Sequence, residues 1–189
     1  MKHHLSAVLA AAAVMAVPMS ANALVYQFNA TINSTQEVPV NATTGTGLGT
    51  LFYDDRNTVT TTDDRYNFTM SVFGLTGPAT AFHIHAPAPV GVNAPVLINL
   101  DSTQFFNANS FGILLVGGNN VPAPNATFFG QLLSSLTYIN VHTAAFPGGE
   151  IRGQLVQVAV VPEPSTLAML LVGLGFGGLI LRSRSRSRS

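Results

Sequence analysis

The stretch Tyr26-Gln-Phe-Asn-Ala-Thr-Ile-Asn33 alternates apolar and polar side chains along its whole length. The same period of two returns in Tyr66-Asn-Phe-Thr-Met-Ser-Val72. In an extended strand, successive side chains point to opposite faces of the sheet. Both stretches are therefore predicted to be half-buried β-strands, each with one apolar face directed towards a core.

Six further segments are predicted to be strands because turn-forming residues separate them. They are residues 45–53, 81–85, 96–100, 110–116, 137–142 and 150–158, with turns at 54–57, 77–78, 117–120 and 147–149. A single helix is predicted at 126–135, with Asn125 as its N-cap. This density of short strands predicts an all-β domain, either an antiparallel β-sandwich or a flattened Greek-key barrel.

The charge of the central part of the chain argues against nucleic-acid binding. Between Leu24 and Val161 there are three arginines and seven acidic residues, so the formal net charge is −4. Such a domain repels a phosphate backbone. The chain has no cysteine, which excludes disulfides and thiolate metal sites.

The N-terminal segment has the three parts of a secretory signal peptide. Lys2-His-His4 is followed by the apolar run Leu5–Val17 and then by Ala21-Asn-Ala23, a small-x-small cleavage site. Residues 1–23 are thus predicted to form a cleavable signal helix, and residues 24–160 the mature domain.

The C-terminal segment, residues 161–189, resembles the PEP-CTERM sorting signal of Gram-negative bacteria. Pro162-Glu163-Pro164 precedes an apolar span at 165–181, and the basic end 182–189 is built from Arg-Ser pairs. The span is predicted to be a transmembrane helix, with the domain outside the cytoplasm by the positive-inside rule. The resemblance implies cleavage by a membrane exosortase near Pro162–Pro164 and release to the cell surface or an exopolysaccharide matrix. A plain membrane anchor is the alternative.

Three histidines remain in the mature domain after the signal peptide is removed. His83 and His85 lie two residues apart in a predicted strand and therefore share a face, opposite Phe82 and Ile84. His142 shares the face of its own strand with Tyr138 and Asn140. If the two strands are neighbours, the three imidazoles form a zinc or copper site with an open coordination position. The alternative is three hydrogen-bonded or surface histidines without an ion.

Four segments together resemble the CHRD domain, a module named from chordin. They are Gly45-Thr-Gly-Leu-Gly-Thr50, Phe82-His-Ile-His-Ala-Pro87, Tyr138-Ile-Asn-Val-His-Thr143 and Pro147-Gly-Gly-Glu-Ile-Arg-Gly-Gln154. The resemblance implies an extracellular module rather than a particular reaction.

Phe82-His-Ile-His85 also resembles the copper-binding strand of copper-zinc superoxide dismutases, so their Greek-key topology is one form that the predicted fold can take. A dismutase needs more histidines, an aspartate ligand to zinc and usually a disulfide. Three histidines and no cysteine therefore exclude dismutase activity.

Glu150, Arg152 and Asn140 are the predicted outer-shell residues of this site. Glu150 and Arg152 share a strand face, where they would form either an ion pair or a support that orients a histidine. Asn140 shares the face of His142.

The predicted function is a non-enzymatic surface module that binds a metal ion (copper or zinc), a polysaccharide or another protein. Its predicted partners are an exosortase, the membrane through the C-terminal span, and an exopolysaccharide or a surface protein. A metal-dependent activity at the three histidines is the alternative, and a purely structural protein is a third possibility.

Overall fold

We describe residues 24–162 of the chain in a computed structural model. The predicted signal helix (1–23) and membrane helix (165–181) lie outside the described residues. Within 24–162, no helix is long and apolar enough to cross a membrane. The strands are β1 (Leu24–Asn33), β2 (Thr46–Asp54), β3 (Arg65–Phe73), β4 (Ala79–His85), β5 (Val96–Asn99), β6 (Phe106–Ser110), β7 (Ile113–Pro122), β8 (Tyr138–Thr143), β9 (Ile151–Gln154) and β10 (Val156–Pro162). A short 3₁₀ turn (Ser34–Gln36) and one helix, α1 (Phe128–Leu133), complete the secondary structure of this part.

All ten strands join one antiparallel sheet that curls into a half-barrel. The strand order is β5-β4-β8-β9-β1-β2-β3-β7-β6, and β10 also pairs with β1. The predicted all-β antiparallel class is confirmed, but one curled sheet takes the place of the predicted sandwich or flattened barrel. The reason lies at Leu155, between β9 and β10. On either side of this residue, β9 pairs with both β8 and the end of β1, while β10 pairs with the rest of β1, so the β9–β1 pair makes the hydrogen-bonded path continuous.

The register of β1 defines the two ends of the half-barrel. Leu24 pairs with Pro162 of β10 at one end, whereas Asn33 pairs with Arg152 of β9 at the other. The row through Arg152 continues across the sheet to Asn140 of β8 and His83 of β4. The candidate site thus lies at the end of the sheet that is opposite to Leu24.

Two local predictions are wrong around β6 and β7. The glycine-rich stretch 117–120, predicted to be a turn, lies inside β7, where the register against β3 shifts between Tyr66 and Phe68. The hairpin turn instead falls at Phe111-Gly112, inside the predicted strand 110–116. Gly112 has φ +75°, a left-handed conformation that glycine adopts without steric cost.

The predicted helix is shorter than expected and packs into the concave face of the sheet. It begins after Thr127, which is its N-cap in place of the predicted Asn125. Phe128 is fully buried and meets Tyr53 edge to face, with ring centroids 5.9 Å apart, while Phe129 stacks on Tyr53 at 4.7 Å. Aromatic pairs of this kind contribute about 0.5–1.5 kcal/mol beyond the burial of their area, so α1 anchors the core.

The outer face of β4, β8 and β9 is polar and nevertheless covered. All four residues of β9 are buried, and so are all residues of β8 except His142. Two covering loops, residues 37–43 and 86–95, are joined by a hydrogen bond from Asn93 Nδ2 to the Val38 carbonyl oxygen. Asn41 Nδ2 donates to the carbonyl oxygens of Gly149 and Glu150 in a third loop. This part of the sheet therefore has one apolar and one polar buried face.

A glycine in β9 allows the close approach of β9 to β1. A Cβ atom on Gly153 would lie 2.6 Å from the Thr31 carbonyl oxygen and 2.9 Å from Ile32 Cγ1. We expect Gly153→Ala to lower the free energy of unfolding by about 1–3 kcal/mol, because the strands must separate to admit the methyl group. Chemical denaturation measures the change.

The matched control is Gly117→Ala in β7, where an added Cβ meets no atom within 4 Å. This control should change the stability by no more than about 0.5–1 kcal/mol. Equal effects of the two substitutions would contradict the steric explanation.

Candidate metal centre

The pairing of β4 with β8 brings the three predicted histidines together. His83 and His85 lie on β4. His142 lies on β8, where it pairs with Ala81 of β4, so all three histidines share the polar outer face. The ring centroid of His83 is 5.4 Å from that of His85 and 5.1 Å from that of His142. One ring nitrogen from each histidine lies within 4.8 Å of one from each of the others.

Backbone carbonyl groups determine which nitrogen of two of the rings is free. His85 Nδ1 lies 2.9 Å from the Ala94 carbonyl oxygen, and His142 Nδ1 lies 3.0 Å from that of Pro147. Because a carbonyl oxygen can only accept, each Nδ1 carries the proton and each Nε2 presents a lone pair. Among the described residues, these two Nε2 atoms and His83 Nδ1 are buried without a hydrogen-bond partner. They are the atoms available to a metal ion.

The surroundings keep the three imidazoles neutral. Burial lowers the pKa of each ring, and for His83 the neighbouring His142 and His85 lower the pKa further. A neutral imidazole is the form that ligates a metal, so no proton has to be displaced from these rings near neutral pH.

The donor set fits a zinc or copper ion. Zinc binds imidazole nitrogen at about 2.0–2.1 Å in tetrahedral geometry, which places ligand nitrogens roughly 3.3 Å apart. The three ligand nitrogens, within 4.8 Å of one another, need only a modest contraction to reach that spacing. Three neutral nitrogen ligands without a thiolate are acceptable to both metals and leave a coordination position open.

Comparison with protein-family models identifies the domain that carries this site. The model of the CHRD domain matches residues 28–155. The chain belongs to the CHRD-domain family. The matched range contains all three histidines and nearly all of the half-barrel.

A second family model, the PEP-CTERM protein-sorting motif, matches residues 160–185. It indicates that this CHRD-domain protein is exported and processed by an exosortase as a membrane-anchored surface protein. Of the sorting motif, Pro162 ends β10, while Glu163 and Pro164 lie outside the described residues. No curated protein and no solved structure matches the chain.

Among the predicted outer-shell residues of the site, Glu150 makes its hydrogen bonds to threonines and not to the histidines. Its carboxylate is fully buried and accepts hydrogen bonds from the Thr76 amide (2.9 Å), the Thr76 hydroxyl (2.7 Å) and the Thr143 hydroxyl (2.6 Å). These contacts hold the loop before β4 against β8. The described structure thus joins Glu150 to two threonines rather than in the predicted ion pair with Arg152.

Arg152 is 1% exposed and lies over the ring of Tyr138, with its guanidinium carbon 3.4 Å from the ring centroid. It donates to the Val92 carbonyl oxygen (2.8 Å) and to Asn93 Oδ1 (3.1 Å). On Tyr138 the ring of His85 is also stacked, with centroids 4.9 Å apart and an interplanar angle of 4°. Arg152 therefore reaches a histidine through Tyr138.

Asn140 lies beside His83 in the neighbouring strand and is held by Glu37, a residue that the sequence analysis did not single out. Asn140 Nδ2 donates to Glu37 Oε2 at 3.3 Å. Glu37 comes from the loop after β1, and no sequence pattern links it to the histidine strands. Tyr138, in contrast, could be expected near the site because it shares the strand face of Asn140 and His142.

Two buried oxygen atoms next to Gly149 favour the protonated form of Glu37 at acidic pH. Glu37 Oε1 and Asn140 Oδ1 have no partner among the described residues. A Cβ atom on Gly149 would meet both of them, at 2.8 and 2.6 Å respectively. Burial raises the pKa of Glu37 to about 7, although Asn140 and the positive charge of Arg152 lower the pKa in part. Protonation removes the charge whose burial is costly and makes one carboxyl oxygen a donor beside Asn140 Oδ1.

The pKa of Glu37 is higher in the folded protein than in the unfolded protein. The protonated carboxyl therefore stabilises the fold at low pH, and this contribution is lost as the pH rises to about 7. We expect Glu37→Gln, whose amide replaces the proton, to be more stable than wild type at pH 8 but not at pH 4. When the pKa of a group differs by one between the folded and unfolded protein, the free energy of unfolding changes by about 1.4 kcal/mol. Thermal unfolding between pH 4 and pH 8 measures the difference.

The histidines titrate in both proteins, so the difference between wild type and Glu37→Gln isolates Glu37. A constant difference in stability across this pH range would contradict a protonated Glu37.

Proposed function

We propose that this CHRD-domain protein is a non-enzymatic surface module that binds one copper or zinc ion through His83, His85 and His142. The observation that carries the proposal is the convergence of three buried imidazole nitrogens without partners among the described residues. Leaving buried polar atoms unpaired costs about 1–3 kcal/mol each, and a metal ion would satisfy all three at once.

The sorting signal supports a role for the site outside the cytoplasm. An exported protein without cysteine has no disulfide to stabilise its fold. A bound ion would add stability instead, by about 2.7 kcal/mol at a metal concentration one hundred times the dissociation constant. In this proposal the module, after release by the exosortase, holds an exopolysaccharide or another surface protein at the cell surface.

A metal-dependent activity is the second candidate, and the open coordination position favours it. An ion with three protein ligands can bind and activate water or take part in redox chemistry. Such an activity needs a concave pocket beside the histidines. A cleft of about 420 Å³ lies between β5 and the end of β7, where Leu97, Ile98, Tyr66 and Pro122 line it. None of its lining residues is a histidine of the site, so this cleft does not serve such an activity.

Elemental analysis of the purified mature protein tests the site directly. We expect one equivalent of zinc or copper, an increase in melting temperature on metal addition, and the loss of both in His83→Ala/His85→Ala/His142→Ala. These substitutions remove every ligand in the cluster.

The control is Asn67→Ala, an exposed polar residue on β3, which should keep the metal. The proposed site would be contradicted if the purified wild type contained neither copper nor zinc and if neither metal raised its melting temperature.

A further inference from the structure

Three side chains from three strands form a stack that ends at a candidate metal ligand. Tyr138 of β8 lies between the guanidinium group of Arg152 on one side and the imidazole of His85 on the other. Arg152 cannot rotate freely, because it is 1% exposed, and the ring of His85 is parallel to that of Tyr138 within 4°. The orientation of His85 is therefore set by side chains that do not themselves offer a ligand to the ion.

Every member of the stack also contacts residues 86–95, the second of the two covering loops. From here on, this loop alone is called the cover loop. His85 Nδ1 donates to the Ala94 carbonyl oxygen at 2.9 Å, and the Ala94 amide donates to the Tyr138 hydroxyl at 3.0 Å. Arg152 donates to the Val92 carbonyl oxygen and to the side-chain oxygen of Asn93. The closed cover loop thus supplies a partner to each of the three stacked groups.

Arg152 makes opening of the cover loop costly. The described residues place no carboxylate within salt-bridge distance of its guanidinium group, since the one ion pair found there joins Arg56 to Asp54. Its positive charge is satisfied by two neutral oxygens of the loop and by the face of the Tyr138 ring. A buried charge that loses its hydrogen-bond partners is strongly destabilising, so the loop and the stack stabilise each other.

We propose that Tyr138 and Arg152 are positioning residues for His85, and that they couple metal binding to closure of the cover loop. This inference rests on the proposed metal site. A metal ion on His85 Nε2 withdraws electron density from the ring, which makes Nδ1–H a stronger donor to the Ala94 carbonyl oxygen. The bound ion then favours the closed loop. Because coupling between two equilibria is reciprocal, the closed loop raises the affinity for the ion by the same factor.

The test compares two tyrosine-to-phenylalanine variants of the mature protein. Tyr138→Phe keeps the ring stack but removes the hydroxyl that holds the Ala94 amide. Tyr53→Phe is the matched control, because it also removes a buried hydroxyl. That hydroxyl donates to Asp64 Oδ2 over 2.6 Å and takes no part in the site. Zinc affinity is measured by competition with a chelator, and amide hydrogen exchange across residues 86–95 is measured with and without zinc.

We expect zinc to slow the exchange of the Ala94 amide in the wild type and in Tyr53→Phe. In Tyr138→Phe we expect a zinc affinity about ten-fold lower, the size of effect that outer-shell substitutions have, and loss of the slowed exchange. Arg152→Met should weaken zinc binding by a similar factor, and Tyr138→Phe carries the test if that variant does not fold.

The outcomes separate the two proposals. If the wild type binds zinc but exchange across the cover loop does not change, or if Tyr138→Phe retains full affinity, the coupling is overturned and the metal site stands. If the wild type binds neither zinc nor copper, the metal site fails and the coupling fails with it.

Discussion

Burial of polar side chains on the outer face of β4, β8 and β9 is the constraint on which the rest of the site depends. The inner face of these strands packs into an ordinary apolar core, but their outer face carries imidazole, amide and guanidinium groups beneath two loops. A buried polar group needs a partner. Backbone carbonyl groups of nearby loops supply those partners, at Ala94 and Val92 of loop 86–95 for His85 and Arg152, and at Pro147 of the third loop for His142. The loops are thereby held in place by the groups that they cover.

This constraint also determines the chemistry that the site can offer. Carbonyl oxygens can only accept, so at His85 and His142 they hold the Nδ1 proton and leave the Nε2 lone pair without a partner among the described residues. The same burial lowers the pKa of the imidazoles and keeps them neutral. An arrangement that satisfies one nitrogen of each of these two rings and leaves the other without a partner is typical of metal-ligating histidine.

The parts of the fold that follow from local periodicity could be predicted from the sequence. Alternation predicted β1 and β3, and the spacing of His83 and His85 placed both imidazoles on one face. Their approach to His142 depends on the pairing of β4 with β8, which joins residues about sixty positions apart and has no local signal. For the same reason Glu37 and the Ala94 carbonyl were not predicted, because backbone groups and loop residues show no periodicity.

Of two turns that were predicted from glycine, one is wrong and the other is confirmed. The stretch 117–120 has the composition of a turn, yet β7 continues through it, because the bulge against β3 needs an irregular backbone rather than a reversal of the chain. The Pro147-Gly-Gly149 segment does form the expected turn, and Gly149, with φ +132°, lies against Glu37 and Asn140 where a side chain would not fit.

The register of β1 also defines how far the row of His83 lies from the end of the sheet at which the described chain ends. Leu24 pairs with Pro162, the last described residue, while Asn33 lies in the row of Arg152, Asn140 and His83. Ten residues of strand span about 30 Å at roughly 3.3 Å per residue. β1 therefore places the row that contains His83 about 30 Å from the end of the sheet at which Pro162 lies.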